Sequence, residues 1–392
     1  MIAFDEAWSI IVAAARPLGP EQVRLADASG RILAEPVVAR VDWPPADVSA
    51  MDGYALRDGD PSPLRVVGES FPGAPYKGAE IGLGECVRIF TGAAVPRGAD
   101  RVVMQEQATR DGSAVTLTIG AADVRFIRPR GADFRAGDAL LPVGRRLDAR
   151  AMVAAAGADL ADVVVWRRPL VTILATGDEL AEPGTAHARP DAIPDSVSLA
   201  VAALVSDWGG NVIARELVRD EPDLIRTAAA IALDRSDLLV MTGGASVGER
   251  DYAKSVLAGL GLDPLFAKVA MKPGKPVWFG RVGKTLVLGL PGNPTSALVT
   301  ARLLLAPLIA GMSGADPADA ARWRTASLCS PLESCGDRET FARGRWADGR
   351  AERTDNQDSG AQKALANSDL LIRQRPFTAA MPADAPVEVL DF

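Results

Sequence analysis

A chain of 392 residues, 48% of them hydrophobic, exceeds one ordinary core, so two to four domains are expected and wholesale disorder is excluded. A net charge of −7 argues against nucleic acid as the main partner, and no uninterrupted apolar run reaches the ~18 residues that cross a bilayer. With a single histidine, His187, and three cysteines in no zinc spacing, any acid–base or metal chemistry must use carboxylates, lysines or backbone groups.

The N-terminal stretch MIAFDEAWSIIVAAARPL carries Asp5 and Glu6 and no basic leader. It reads as an amphipathic helix rather than a signal peptide, which places the chain in the cytoplasm. Cys86, Cys329 and Cys335 fit that compartment as buried small hydrophobes. Residues 20–40 and 138–168 read as a connecting layer of short strands and helices. Between them, residues 40–140 hold short β-like runs, RVVMQE and AVTLTIG among them, broken by glycine, proline and aspartate. That pattern predicts a small, mostly β insertion built of hairpins.

Residues 170–310 alternate strand and helix. LVTILA, NVIARELV, DLLVMT, VWFGR and TLVLGL read as strands, and SVSLAVAALVSDW, DEPDLIRTAAAIALDR, DYAKSVLAGL and TSALVTARLLLAPLI as helices. The alternation predicts a parallel sheet covered on both faces, with ligands beyond the carboxyl ends of the strands. TGDEL, TGGASVGERD and PGNP each follow a strand and should converge there. After about residue 315, short runs separated by turn residues predict a small β-barrel.

Three stretches and one lysine carry candidate chemistry. In MTGGASVGERDYAK, glycines let the backbone approach a ligand, successive N–H groups form an anion nest, and a helix start faces the same place. Glu249 and Asp251 have the wrong sign for a bare phosphate, but suit a divalent cation bridging to one; an ordinary turn with solvated acids is the competing reading. In AMKPGKP, two prolines stiffen a turn that carries Lys272 and Lys275, a pair suited to an oxyanion if it is more than a solvated turn. Lys268 lies in an apolar run, an odd place for a cation without an anionic partner. IRPRGADF clusters Arg128, Arg130 and Asp133; arginines suit planar anions, and surface salt bridging is the alternative.

In order, SAMDGYA, RIFTGAAVPRGADRVVMQE, IRPRGADF, ATGDEL, GGASVGERDY, KVAMKPGKP and GLPGNPTSA resemble the molybdopterin molybdenumtransferases, the MoeA type that also forms the C-terminal part of gephyrin. The resemblance covers almost the whole chain. It implies an α/β multidomain fold: a linking domain (20–40 and 138–168), a β-hairpin insertion domain (41–137), a parallel-sheet α/β domain like the molybdopterin adenylyltransferases (1–19 and 169–314), and a C-terminal β-barrel (315–392). It further implies an elongated homodimer. The substrates would be molybdate and adenylylated molybdopterin, with a divalent cation such as Mg²⁺. Molybdopterin adenylyltransferase and molybdoenzymes would be the partners, with no nucleic acid and no membrane.

The resemblance also assigns roles. Asp52, Thr91, Arg128 and Asp133 belong to the functional cleft on the hairpin domain. Glu179, Asp220 and Asp251 match acids suited to metal ligation or water activation. Gly243, Gly244 and Ser246 would lie along the phosphates, and Lys268, Lys272 and Lys275 would supply positive charge. Arg343 and Ser359 would line the molybdate pocket with the lysines of KPGKP, and Pro291 and Pro294 would shape the loop beside it. Val48 and Val197 stand where the family usually has asparagine, and each change removes an amide able to hydrogen-bond. Two other functions fit parts of the pattern. Adenylylation of molybdopterin would use residues 170–310, but not the flanking regions. A non-catalytic scaffold would have no need of Asp251, Lys272 and Lys275.

Overall fold

The strand Leu170–Thr176 lies between Asn211–Val218 and Leu238–Thr242, and the sheet continues through Thr285–Leu290, Trp278–Val282 and Asp263–Phe266. The protein is described here by a computed structural model covering residues 1–118, 124–243 and 252–392. The first four strands of the sheet are parallel and the last two join antiparallel. The expected all-parallel sheet is therefore a mixed one. Only Gly283 and Lys284 separate Val282 from its partner Thr285, and two residues close a hairpin but cannot carry a parallel crossover. Gly283 has φ 57°, the left-handed conformation such a turn requires.

The central strands are buried on both faces. Ile173 and Val240 point into one core with the N-terminal helix Phe4–Ala14, the helix Val197–Asp207 and the long segment Pro294–Met312. Leu174, Leu239 and Met241 point into the other, against the helices Pro222–Arg235 and Tyr252–Gly259. Successive strand residues face opposite ways, so one strand feeds both cores. Segment Pro294–Met312 runs 19 residues at mean hydropathy 1.6, long and apolar enough by composition to cross a membrane, contrary to the expectation from uninterrupted runs. It is nevertheless 94% buried within the protein, which makes it a core helix. Its Arg302 donates to the carbonyls of Asp391 (2.9 Å) and Ala320 (2.5 Å), and burial pushes its pKa down to about 10.

Residues 20–40 and 138–168 meet through two short antiparallel pairs, Pro20–Arg24 with Asp162–Trp166 and Val37–Val38 with Ala139–Leu141. Leu33, Val37, Leu147, Ala151 and Val165 give this region its own core. The helix Ala149–Gly157 starts at Asp148, whose carboxylate accepts the Ala151 N–H at 2.9 Å. Farther along, six strands form a separate sheet in the order Arg101–Met104, Gly53–Leu56, Glu85–Ile89, Leu64–Ser70, Ala114–Leu117, Ala108–Asp111. RVVM is a strand as expected, whereas Gln105–Gln107 bends into a 3-10 turn.

The last sheet runs Met271–Lys272, Glu339–Ala347, Leu370–Gln374, Pro386–Asp391, Arg324–Ser327, with Arg350–Arg353 paired to Glu339–Ala347. A bridge between Leu328 and Ala351 links the end of Arg324–Ser327 to Arg350–Arg353. Met271 and Lys272 pair with Glu339 and Thr340, so the lysine turn of the α/β core is also an edge of the C-terminal sheet. His187 sits exposed in a 3-10 turn. Of the cysteines, only Cys86 is buried; Cys329 and Cys335 are half-buried, because Cys329 and Cys335 lie in connecting segments rather than strands.

Candidate active site

A cleft of about 600 Å³ opens at the carboxyl ends of the parallel strands, where the loops were expected to converge. Thr176 and Thr242 end two strands and are followed in the loops by Glu179 and Gly243; Asp220 follows the strand Asn211–Val218, and Pro291, Gly292, Asn293 and Pro294 close the far wall. Glu179 folds back over the turn: a Cβ on Gly177 would lie 2.9 Å from both of its carboxylate oxygens. The Asp220 N–H donates to Asp178 Oδ1 at 3.2 Å, which fixes the loop bearing Asp220 against the TGDEL turn. Gly243 has φ 81°, and a Cβ there would lie 2.4 Å from the Thr176 carbonyl, so only glycine fits. Gly244, Ser246, Glu249 and Asp251 lie outside the described residues.

The lysines stand beside this cleft. Lys272 and Lys275 are exposed and Lys268 is half-buried, with no ion-pair partner among the described residues; their neighbour Pro276 lines the cavity. Ser359 accepts from Asn293 Nδ2 at 3.1 Å, and its carbonyl accepts the Thr295 N–H at 3.0 Å, so the C-terminal loop is fastened to PGNP. Gly360 and Gln362 line the cavity. Arg343 does not face it, in contrast to the expectation from the resemblance. It is 1% exposed, and its guanidinium donates to Thr295 Oγ1 (2.7 Å) and to the carbonyls of Asn356 (2.9 Å) and Asp358 (3.2 Å). The strand Glu339–Ala347 points this side chain under the loop that carries Ser359.

The hairpin residues form their own group. Asp52 accepts both the N–H and the hydroxyl of Thr91, each at 2.7 Å, and these two bonds hold its carboxyl below the usual range. Ile127–Arg128 pairs with Val48–Ser49, and Gly92 donates to the Ser49 carbonyl at 2.8 Å, so Arg128, Thr91 and Asp52 gather around one corner. Asp133 lies farther along, lining a different cavity with Trp43 and Phe134. None of these four lines the cleft of Glu179 and Asp220. Within one chain the two groups stay apart.

Sequence reasoning missed Thr176, Asp195, Asn293 and Gln362, all of which line the cleft. Thr176 is 5% exposed, and its hydroxyl has no hydrogen-bond partner among the described residues, a feature only packing reveals. Asp195, 2% exposed, accepts the Ser198 N–H at 3.0 Å and a bond from Arg215 at 3.0 Å, fixing the start of the helix Val197–Asp207. Val197 itself packs into the core while touching the cleft. Among the described residues no three His, Cys, Asp or Glu side chains are grouped to hold a metal ion. Glu179 and Asp220 share the cleft, and the third expected ligand, Asp251, is outside the described residues.

Comparison with known families agrees with this layout. Residues 2–158 match the family described as MoeA N-terminal region (domain I and II), and residues 172–311 match the probable molybdopterin binding domain. The class is thus a MoeA-type multidomain chain whose cleft is lined mostly by the second of these regions, with Gly360 and Gln362 added from beyond it. A molybdopterin molybdenumtransferase of Nostoc sp. is 36% identical over 332 residues, 82% of this chain and 76% of that protein. One of Haemophilus influenzae is 37% identical over 319 residues, 80% of this chain and 78% of its own length. A solved molybdopterin biosynthesis MoeA protein of Pyrococcus horikoshii superposes with a TM-score of 0.84 at 25% identity, covering 100% of each chain. The chain belongs to the molybdopterin molybdenumtransferase family.

Proposed function

We propose that this enzyme transfers molybdenum from molybdate onto the dithiolene of adenylylated molybdopterin and releases AMP, giving molybdenum cofactor. The observation that carries this reading is the joining of three elements at one cleft: the acids Glu179 and Asp220, the glycine turn at Gly243, and the PGNP–Ser359 junction beside Lys272 and Lys275. Water adds across the phosphoanhydride; one P–O bond forms, one breaks, and AMP leaves as the phosphate monoester. The two dithiolene sulfurs take the place of molybdate oxygen, which leaves as water.

Each part of the site has a task. The turn at Gly243 lets the backbone approach the phosphates. Lys272 and Lys275, stiffened by Pro273 and Pro276, offset the charge of the molybdate dianion, and Ser359 adds a hydroxyl held by Asn293. Glu179, Asp220 and Asp251 are oxygen donors suited to a hard divalent cation such as Mg²⁺, which when bound would neutralise phosphate charge.

The same reading extends to assembly. The hairpin corner of one subunit faces the α/β cleft of its partner in an elongated homodimer, which unites Asp52, Thr91, Arg128 and Asp133 with Glu179 and Asp220. The four regions act as the linking, hairpin, molybdopterin-binding and C-terminal domains, the last a barrel, a reading that the bridge between Leu328 and Ala351 supports. The protein works in the cytoplasm, between molybdopterin adenylyltransferase and the molybdoenzymes that take the cofactor. Supplying adenylylated molybdopterin and molybdate, then counting molybdenum atoms in the isolated pterin, tests this. One metal per pterin is expected, and a metal-free pterin would overturn the assignment.

A further inference from the structure

The active cleft occupies the carboxyl ends of the core strands. Their amino ends open onto a second cavity of about 440 Å³ that shares no lining residue with the first. Arg168 stands two residues before the strand Leu170–Thr176, and Trp208 and Gly209 precede Asn211–Val218. Across from them the connecting layer contributes Arg31, Arg145 and Arg146, and the turn beyond Met312 contributes Arg322. Five arginines thus face two aspartates, Asp148 and Asp319, in a chain whose net charge is −7.

Three of these cations are engaged. Arg31 pairs with Glu21 and donates to the Trp166 carbonyl at 2.8 Å, Arg145 reaches Asp148 at 3.1 Å, and Arg322 pairs with Asp319. Arg146 and Arg168 form no close ion pair among the described residues, although Glu21, already paired with Arg31, lies near enough to act on Arg168. Burial, and then the neighbouring Arg31, lower the pKa of Arg168. A cation crowded by another cation and partly removed from water gains most when an anion enters. The planar guanidinium fork matches the oxygens of a phosphoryl group, and the volume falls within the range of small-ligand pockets.

We propose that this cavity is an anion site, holding a tetrahedral oxyanion of two or more charges, free or as the phosphoryl group of a small molecule, with Arg146 and Arg168 as its main contacts. Nothing in the molybdenum transfer reaction uses it. The test is calorimetric titration of the full chain carrying Lys272→Ala and Lys275→Ala, which removes the lysines beside the active cleft. The free-ion probes are orthophosphate and pyrophosphate; the organic probe is ribose 5-phosphate. At least one should bind at a single site, and Arg146→Ala or Arg168→Ala should each weaken it about tenfold or more, as expected for a charge-assisted contact. Neither side chain forms an ion pair among the described residues, so far-UV circular dichroism should show an unchanged fold. Failure of every probe to bind the lysine variant, or binding that survives Arg146→Ala with Arg168→Ala, would overturn the proposal.

Discussion

Arg343 donates a 2.7 Å hydrogen bond to Thr295 Oγ1 and thereby ties the C-terminal sheet to the first turn of the helix that borders the active cleft. Its other contacts, to the carbonyls of Asn356 and Asp358, hold the loop that presents Ser359. Arg343→Ala would leave the buried Thr295 hydroxyl without its donor and release the Asn356 and Asp358 carbonyls, and should cost about 2 kcal/mol or more in urea denaturation. Ser359→Ala should cost under ~0.5 kcal/mol while lowering turnover. Equal stability losses for the two variants would refute the division of roles.

Lys275 is exposed on a turn stiffened by two prolines, so its replacement should act on the ligand rather than on the fold. A charge-assisted contact is worth roughly 1.5–3 kcal/mol, so Lys275→Ala should raise the molybdate midpoint by about 10- to 150-fold at saturating adenylylated pterin. An unchanged midpoint would remove Lys275 from the site.

Asp52 titrates below its ordinary 3.8, first because of the Thr91 N–H and then because of the Thr91 hydroxyl. A depressed carboxyl pKa stabilises the fold above the unfolded value, and that contribution is lost as pH falls through the folded value. Thr91→Val keeps the N–H bond and removes the hydroxyl. The Asp52 midpoint, followed by carboxyl ¹³C chemical shift, should therefore move up toward 3.8. A midpoint that stays put would mean the hydroxyl bond does not form in solution.

Gly243→Ala places a Cβ 2.4 Å from the Thr176 carbonyl at a φ of 81°. Strain of this kind costs on the order of 1–3 kcal/mol. Thermal unfolding should show that loss together with a drop in turnover. A fully stable and active variant would show that the turn can be rebuilt without glycine.

Asp52 and Glu179 belong to groups that one chain keeps apart. If the chain forms the proposed two-fold dimer, mixing inactive Asp52→Ala with inactive Glu179→Ala chains should restore activity, because one cleft of the mixed dimer would carry neither lesion. Subunit exchange without recovery would show that the hairpin residues serve their own chain.

Hydrophobic periodicity made much of the α/β core legible. NVIARELV is the strand Asn211–Val218, and the convergence of TGDEL and PGNP followed from strand order alone. The antiparallel edge was missed because a buried apolar run reads the same in either direction; the Gly283 turn was the overlooked signal. Lys272 and Lys275 were visible as charges on a proline-stiffened turn. The true place of Arg343 was not, since its partners Thr295 and Asp358 are set by long-range packing. The same is true of Thr176, whose unpaired hydroxyl depends on what surrounds it.

In the proposed reaction the cleft of Glu179, Asp220 and the lysine turn couples molybdate to cleavage of adenylylated molybdopterin. The most direct test of this coupling is AMP release from purified protein and adenylylated molybdopterin, measured as molybdate is added. AMP release should saturate with molybdate and fall in Lys275→Ala. AMP release indifferent to molybdate, or none while the protein adenylylates molybdopterin from ATP, would contradict the coupling.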